Sequence, residues 1–276
     1  MPLILTATDF SEVADNAVNY ACQLAATCNA SVIVVHSFIQ PIMFSDMPMP
    51  GSIVADEQQD AELQMSTLVQ KLEDDYPDLR IKGKVIYGDT LDVFEEYKDN
   101  DQAPLMVVLG NSSLHESSSW SESVLISSFR TLQYPVLAVP PGAKFKAANK
   151  ICFAADSKPG GYDMAVKQLK NIAGVLKSEI HILHIVASDQ HNDHSDSEIN
   201  LENLFADLHP VYHQVTDNGN TDNAILDFID ANGIDWLVMM PRKHSFFDSI
   251  IHKSHTRALV HHSHLPILAI HEHKNQ

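Results

Sequence analysis

Basic side chains are scarce in this sequence: 18 Lys and Arg stand against 36 Asp and Glu over 276 residues, a formal net charge of −18. Nucleic acids are bound through many Lys or Arg contacts to phosphate, and anionic lipid surfaces recruit the same side chains. Neither is expected as a partner. Cysteine is rarer still. Cys22, Cys28 and Cys152 are odd in number and have no metal-type spacing. The first two fall in a helical pattern and the third in a strand pattern, so all three read as buried free thiols of a reducing, intracellular compartment. No apolar stretch approaches the roughly 20 residues that a membrane helix requires. Met1-Pro2 runs directly into the β-like stretch 3–8, without a basic segment or a small-residue cleavage site, and reads as a strand rather than a secretory leader.

What is present is ordinary globular material. A hydrophobic content of 45% with 20% charged residues is too apolar for disorder, and the length suits two domains of about 100–200 residues. The acidity is unevenly shared: residues 1–142 hold 6 basic against 20 acidic side chains, residues 143–276 hold 12 against 16. Solubility is sufficient to explain it.

The chain contains an internal repeat. Asp15-Asn16-Ala17-Val18 precedes His36, and Asp163-Met164-Ala165-Val166 precedes His184, with 19 residues from alanine to histidine in both. Further on, Gly88-Asp89-Thr90-Leu91 matches Gly219-Asn220-Thr221-Asp222, residues 101–109 match 232–240, and Pro135–Val139 matches Pro266–Ile270, all at one offset of 131. The first copy spans 1–142 and the second 150–276, joined by the polar, Lys-containing linker 143–149. Each copy reads as five strands alternating with helices. The strands fall near 3–8, 31–37, 81–86, 105–109 and 135–139, then near 150–155, 179–186, 211–216, 235–240 and 266–270. They are short β-branched runs without alternation, the mark of parallel strands buried on both faces. The expected fold is therefore α/β, two repeated open parallel five-stranded sheets flanked by helices. The stretches 40–57, rich in Pro and Met, and 188–197, rich in His and Asp, read as surface loops.

Thr6-Ala7-Thr8-Asp9-Phe10-Ser11-Glu12 at the first strand end, His36 after the second strand and Tyr134–Val139 at the close together resemble universal stress proteins. The second copy resembles them through residues 220–241 and Ser263-His264-Leu265-Pro266. The resemblance covers essentially the whole chain. It implies a cytoplasmic stress-response protein of the adenine-nucleotide alpha-hydrolase-like class. The two copies would pair within one chain through their final strands, leaving a monomer or one homodimer. Many members bind ATP, and the resemblance assigns Asp9 and Asp156 to the nucleoside and Ser37 and Ile185 to the neighbourhood of the base. The phosphates would sit in a loop of pattern Gly, two residues, Gly, nine residues, Gly, then Ser or Thr, where backbone N–H groups approach oxygens closely and feed a helix N-terminus.

Both copies depart from that pattern. The first keeps Gly110 but has Ser113 at the second glycine, Glu122 at the third and Ser123 at the hydroxyl position, with the spacing one residue short. Glu116 and Glu122 would repel a triphosphate. The second has Pro241 in place of the first glycine, which removes an N–H donor, then His244 and Lys253, with Ser254 retained. This second loop is basic. Arg242, Lys243, His244 and Lys253 could hold an anion through side chains, or could simply form a solvated cationic loop against the acidic first copy.

Three other constellations are weaker. Seven histidines lie between His252 and His273 but lack the cysteines, or the carboxylate between two His four apart, that make a zinc motif specific, so no metal is expected. His36 and His184 close strands and read as structural. The serines between 112 and 128 include no Gly-x-Ser-x-Gly elbow and have no placed base. The leading expectation is a non-enzymatic stress-response protein that binds a protein partner or a small ligand, with a degenerate ATP loop in both copies. The alternative is ATP binding in the first copy, with slow hydrolysis.

Overall fold

In the computed structural model, the residues described are 1–38, 51–97, 103–111, 120–155, 162–187, 203–217, 221–240 and 264–271. The first half runs β1 (Leu3–Ala7), α1 (Glu12–Cys28), β2 (Ser31–Phe38), α2 (Gly51–Asp75), β3 (Ile81–Tyr87), α3 (Thr90–Glu96), β4 (Met106–Gly110), α4 (Trp120–Thr131) and β5 (Val136–Val139). The second runs β6 (Lys150–Ala155), α5 (Asp163–Leu176), β7 (Glu179–Ala187), a 3-10 turn (Ala206–Leu208), β8 (Val211–Asp217), α6 (Thr221–Asn232), β9 (Trp236–Met239) and β10 (Ile267–Ala269). The strands fall where the sequence places them, within one or two residues. Helix α2 begins at Gly51, so residues 51–57, expected as loop, are helical. The stretch 188–197 lies outside the described residues.

The ten strands form one sheet in the order β3-β2-β1-β4-β5-β10-β9-β6-β7-β8. Within each half every described pairing is parallel. The halves join where β10 runs antiparallel to β5, Leu268 facing Leu137. The two expected five-stranded sheets are thus the two wings of a continuous one.

Burial follows position in the sheet. The inner strands β1, β4, β5, β9 and β10 are buried at every residue, whereas the edge strand β3 is exposed at Lys82, Gly83 and Tyr87. On one face a single hydrophobic cluster crosses the seam, from Ile4, Tyr20 and Val108 to Phe153, Trp236 and Leu268. On the other face the core divides into a cluster around Phe94 and Phe129, which takes in Ala269 of β10, and a second-half cluster around Phe228 and Leu237. Tyr20 and Trp236 also bridge the halves directly, the indole Nε1–H donating to the phenol oxygen at 2.9 Å in a buried site.

The linker is packed onto the molecule. Phe145 meets Tyr20 edge to face, Ala148 is buried, and Asp235 accepts from the backbone N–H of Asn149 and Lys150, both at 2.9 Å. The ammonium of Lys146 lies 2.6 Å from the second oxygen of the same carboxylate. Cys22 and Cys152 are buried, Cys28 is half-buried, and all three are free thiols. Burial pushes the thiols of Cys22 and Cys152 up to about 12, far from the thiolate range.

Candidate functional site

An open α/β sheet offers a crevice where consecutive connections leave a strand in opposite directions, beyond the strands' carboxyl ends. In the first half that point lies between β1 and β4: the chain passes from β1 to β2 on one side, and β4 adds on the other. The residues closing β1 are Thr8, Asp9, Phe10 and Ser11.

This turn is built from its own side chains. Thr8 Oγ1 accepts from Phe10 N–H at 2.9 Å, and Asp9 Oδ1 accepts from Ser11 N–H at 3.0 Å. Ser11 then caps α1, its hydroxyl accepting from Ala14 N–H. Phe10 is held at φ 61°, a left-handed conformation unusual for a bulky residue. Two contacts on β2 support it. The His36 ring lies 4.5 Å from the Phe10 ring, and His36 Nδ1 donates to the Thr8 carbonyl at 2.8 Å. His36 therefore stabilises the turn, as a structural histidine would; His184 holds the matching place on β7, facing Ala155.

The first helical turn is acidic. Glu12 and Asp15 lie there and Asp9 stands two residues before the Ser11 cap, which suits a helix N-terminus. Asp15 is held above the usual carboxylate range, mainly by partial burial, with the charges of Asp9 and Glu12 adding and Lys71 opposing.

Gly110, at the end of β4, lies beneath α1. A Cβ there would sit 2.8 Å from the Val13 carbonyl oxygen and 2.9 Å from Val13 Cγ1, so helix–strand packing alone requires glycine. Ser37 is 4% exposed and bonds to Thr90 Oγ1 at 2.6 Å, tying the end of β2 to the start of α3. Ser123 is exposed on α4. In the second half Ile185 is half-buried on the face of β7 that carries Leu183. Ser113, Asp156, Ser254, Arg242, Lys243, His244 and Lys253 lie outside the described residues, as do Pro241 and Glu116. The structure therefore brings Asp9 and Gly110 to one crevice and buries Ser37 beside it.

Three residues of this region escape the sequence reading. Phe10 gives no sign of its conformation, because only the ring of His36 from another strand explains it. Thr90 was visible only as part of the repeat. Asp89, which accepts from Leu91 N–H at 3.0 Å to cap α3, carries a recognisable signal: an acidic residue directly before a helix. Among the described residues no group of three or more His, Cys, Asp or Glu could hold a metal, and no helix is long and apolar enough to cross a membrane.

This architecture, two α/β wings each opening at a β1/β4-type crevice, defines the class. The universal stress protein family model matches residues 2–140 and again 148–271, so the chain belongs to that family, as a tandem member. Among solved structures, a universal stress protein from Archaeoglobus fulgidus is similar over 99% of this chain and 97% of its own, with a TM-score of 0.71 and 16% identity. A Pseudomonas aeruginosa structure assigned to the universal stress proteins is similar over 99% of this chain and 94% of its own, with a TM-score of 0.55 and 11% identity. The cytoplasmic domain of a prokaryotic cation chloride cotransporter is also similar, over 97% and 94% of the two chains at a TM-score of 0.51 and 9% identity. Such distant likenesses establish the fold and leave function to the residues. Among curated proteins, none matches the sequence.

Proposed function

We propose that this protein is a non-enzymatic, cytoplasmic stress-response protein that binds a protein partner or a small ligand, and that its ATP loop is degenerate in both copies. Two domains, 1–142 and 150–276, would act as an internal pair about the linker 143–149; the β5–β10 ladder supports that pairing. The free thiols fit a reducing cytoplasm.

The observation that carries the reading is Gly110. The opening glycine of the first-copy loop is already required by Val13 of α1, so its presence is no evidence of phosphate binding. The surroundings agree: Ser37 and Thr90 satisfy each other in a buried pair, and Asp9, Glu12 and Asp15 set negative charge beside the crevice. In the second copy, proline replaces the corresponding glycine at 241.

The alternative is ATP binding, with slow hydrolysis, in the first copy through Asp9, Gly110 and Ser123. Native mass spectrometry with ATP, ADP and AMP separates the two, alongside thermal melting with Mg-ATP. Our reading expects no adduct and no melting shift at millimolar nucleotide. Micromolar binding would overturn it, because a ligand that binds only the folded state raises stability with the logarithm of its concentration over Kd, a plain melting shift at millimolar nucleotide.

A further inference from the structure

We propose that His181 and His213 form a proton-sensitive latch holding the edge strand β8 against β7. His181 Nδ1 and His213 Nε2 lie 2.9 Å apart, with the rings parallel within 3° and their centroids separated by 5.1 Å. That is the arrangement of two imidazoles meeting edge to edge through a single N–H···N bond. One proton fits between the two nitrogens; two do not. His181 is 4% exposed, and His213 is half-buried with its ring 4.7 Å from that of Phe228 on α6. The second nitrogen of His181, Nε2, lies 2.7 Å from Glu179 Oε1, a contact that becomes an ion pair only when the ring is protonated.

The location gives the pair its consequence. Among the described strands, β8 ends the sheet and is bonded only to β7. His181 faces Val211 and Leu183 faces His213, so the imidazole bond crosses diagonally between the two strands. In the first half the matching sheet positions hold Ile33 and Lys84, read from the equivalent registers. The latch is a property of the second half alone.

Proton counting gives the direction. With one proton added to the pair a lone pair still remains between the two nitrogens, His181 Nδ1–H donating to His213 Nε2, so the bond survives. A second proton must take the lone pair of His213 Nε2, which opposes two N–H groups at hydrogen-bond distance and places two like charges side by side. The structure resists that second step. Burial first, then the charges of His181 and Lys150, hold His213 below the usual imidazole range.

The neighbouring elements bring little to offset it. Strand β6 contributes Lys150 and the neutral thiol of Cys152. On α6, Asp227 and Asp230 are exposed, Asp230 lies 3.2 Å from His264, and Asp222 sits in the first turn. When β8 detaches, His213 regains an ordinary imidazole value near 6.5 and takes up the proton the closed state refuses. The closed strand is therefore fully stable above that pH and loses stability as pH falls below it.

Hydrogen exchange on the full chain between pH 7.5 and 5.5, corrected for intrinsic rates, tests this. Opening of the 211–217 amides should rise toward tenfold per pH unit below about 6.5, the slope of one proton gained on opening, while strand 81–87 stays flat. His213→Gln offers His181 both an acceptor and a donor and cannot charge, so it should abolish the slope. Equal pH dependence in both edge strands, or an unchanged slope in His213→Gln, would overturn the latch. Should that variant fold poorly, histidine NMR titration of the wild-type chain decides: two well-separated steps are expected, and independent titration of both rings near 6.5 refutes coupling.

Discussion

Single side chains at the seam and the crevice carry consequences that can be measured. Gly110 has no room for a methyl group, because the obstructing atom is the backbone oxygen of Val13 and cannot rotate aside. Gly110→Ala should lower stability by about 1–3 kcal/mol as α1 is pushed off β4, read as a drop in the urea midpoint. Trp236 is fully buried with its one donor satisfied by Tyr20. Tyr20→Phe leaves that N–H without an acceptor and should cost about 1–3 kcal/mol, visible in the same titration and as a shift in indole fluorescence. A smaller effect would mean that another acceptor reaches the indole.

Among the elements, the linker departs furthest from its appearance in sequence. Residues 143–149 read as a polar tether, yet one carboxylate fixes their end: Asp235 accepts two backbone N–H groups where the chain enters β6. A cavity of about 300 Å³ lies alongside, lined in part by Tyr20, Lys146 and Asp235. Asp235→Ala should free the junction, reducing stability by roughly 2 kcal/mol or more for two orphaned donors and speeding limited proteolysis within 141–149. Unchanged cleavage would show that Phe145 and Ala148 hold the linker without it. The two edge strands differ in the same way. β3 carries an exposed Lys82 and a half-buried Lys84 paired with Glu96 at 3.0 Å, whereas β8 is held by an imidazole pair, so the two ends of one sheet answer differently to acid.

In the whole molecule, the seam is both a strand ladder and a shared core. One hydrophobic cluster includes Tyr20 of the first half with Trp236 and Leu268 of the second. The duplication was legible in sequence because identical spacings survive over many residues, and the strands because β-branched runs buried on both faces need no partner to be recognised. The crevice was legible only in part. Asp9 was picked out by the family resemblance, but the roles of Ser37 and Gly110 depend on what touches them. Thr90 is distant in sequence from Ser37, and Val13 from Gly110; each pair meets only when α3 and α1 dock on the sheet.

Local chemistry thus determined the elements, their order and the repeat, since hydrophobic periodicity and capping act within a few residues. The pairing of the two copies through their final strands followed from the family resemblance. Tertiary structure alone decided that this ladder is antiparallel with Leu268 facing Leu137, that the glycine at 110 answers to a helix, and that His181 and His213 share a proton. Each of these depends on atoms brought together across a strand or a seam, and no spacing along the chain encodes such a distance.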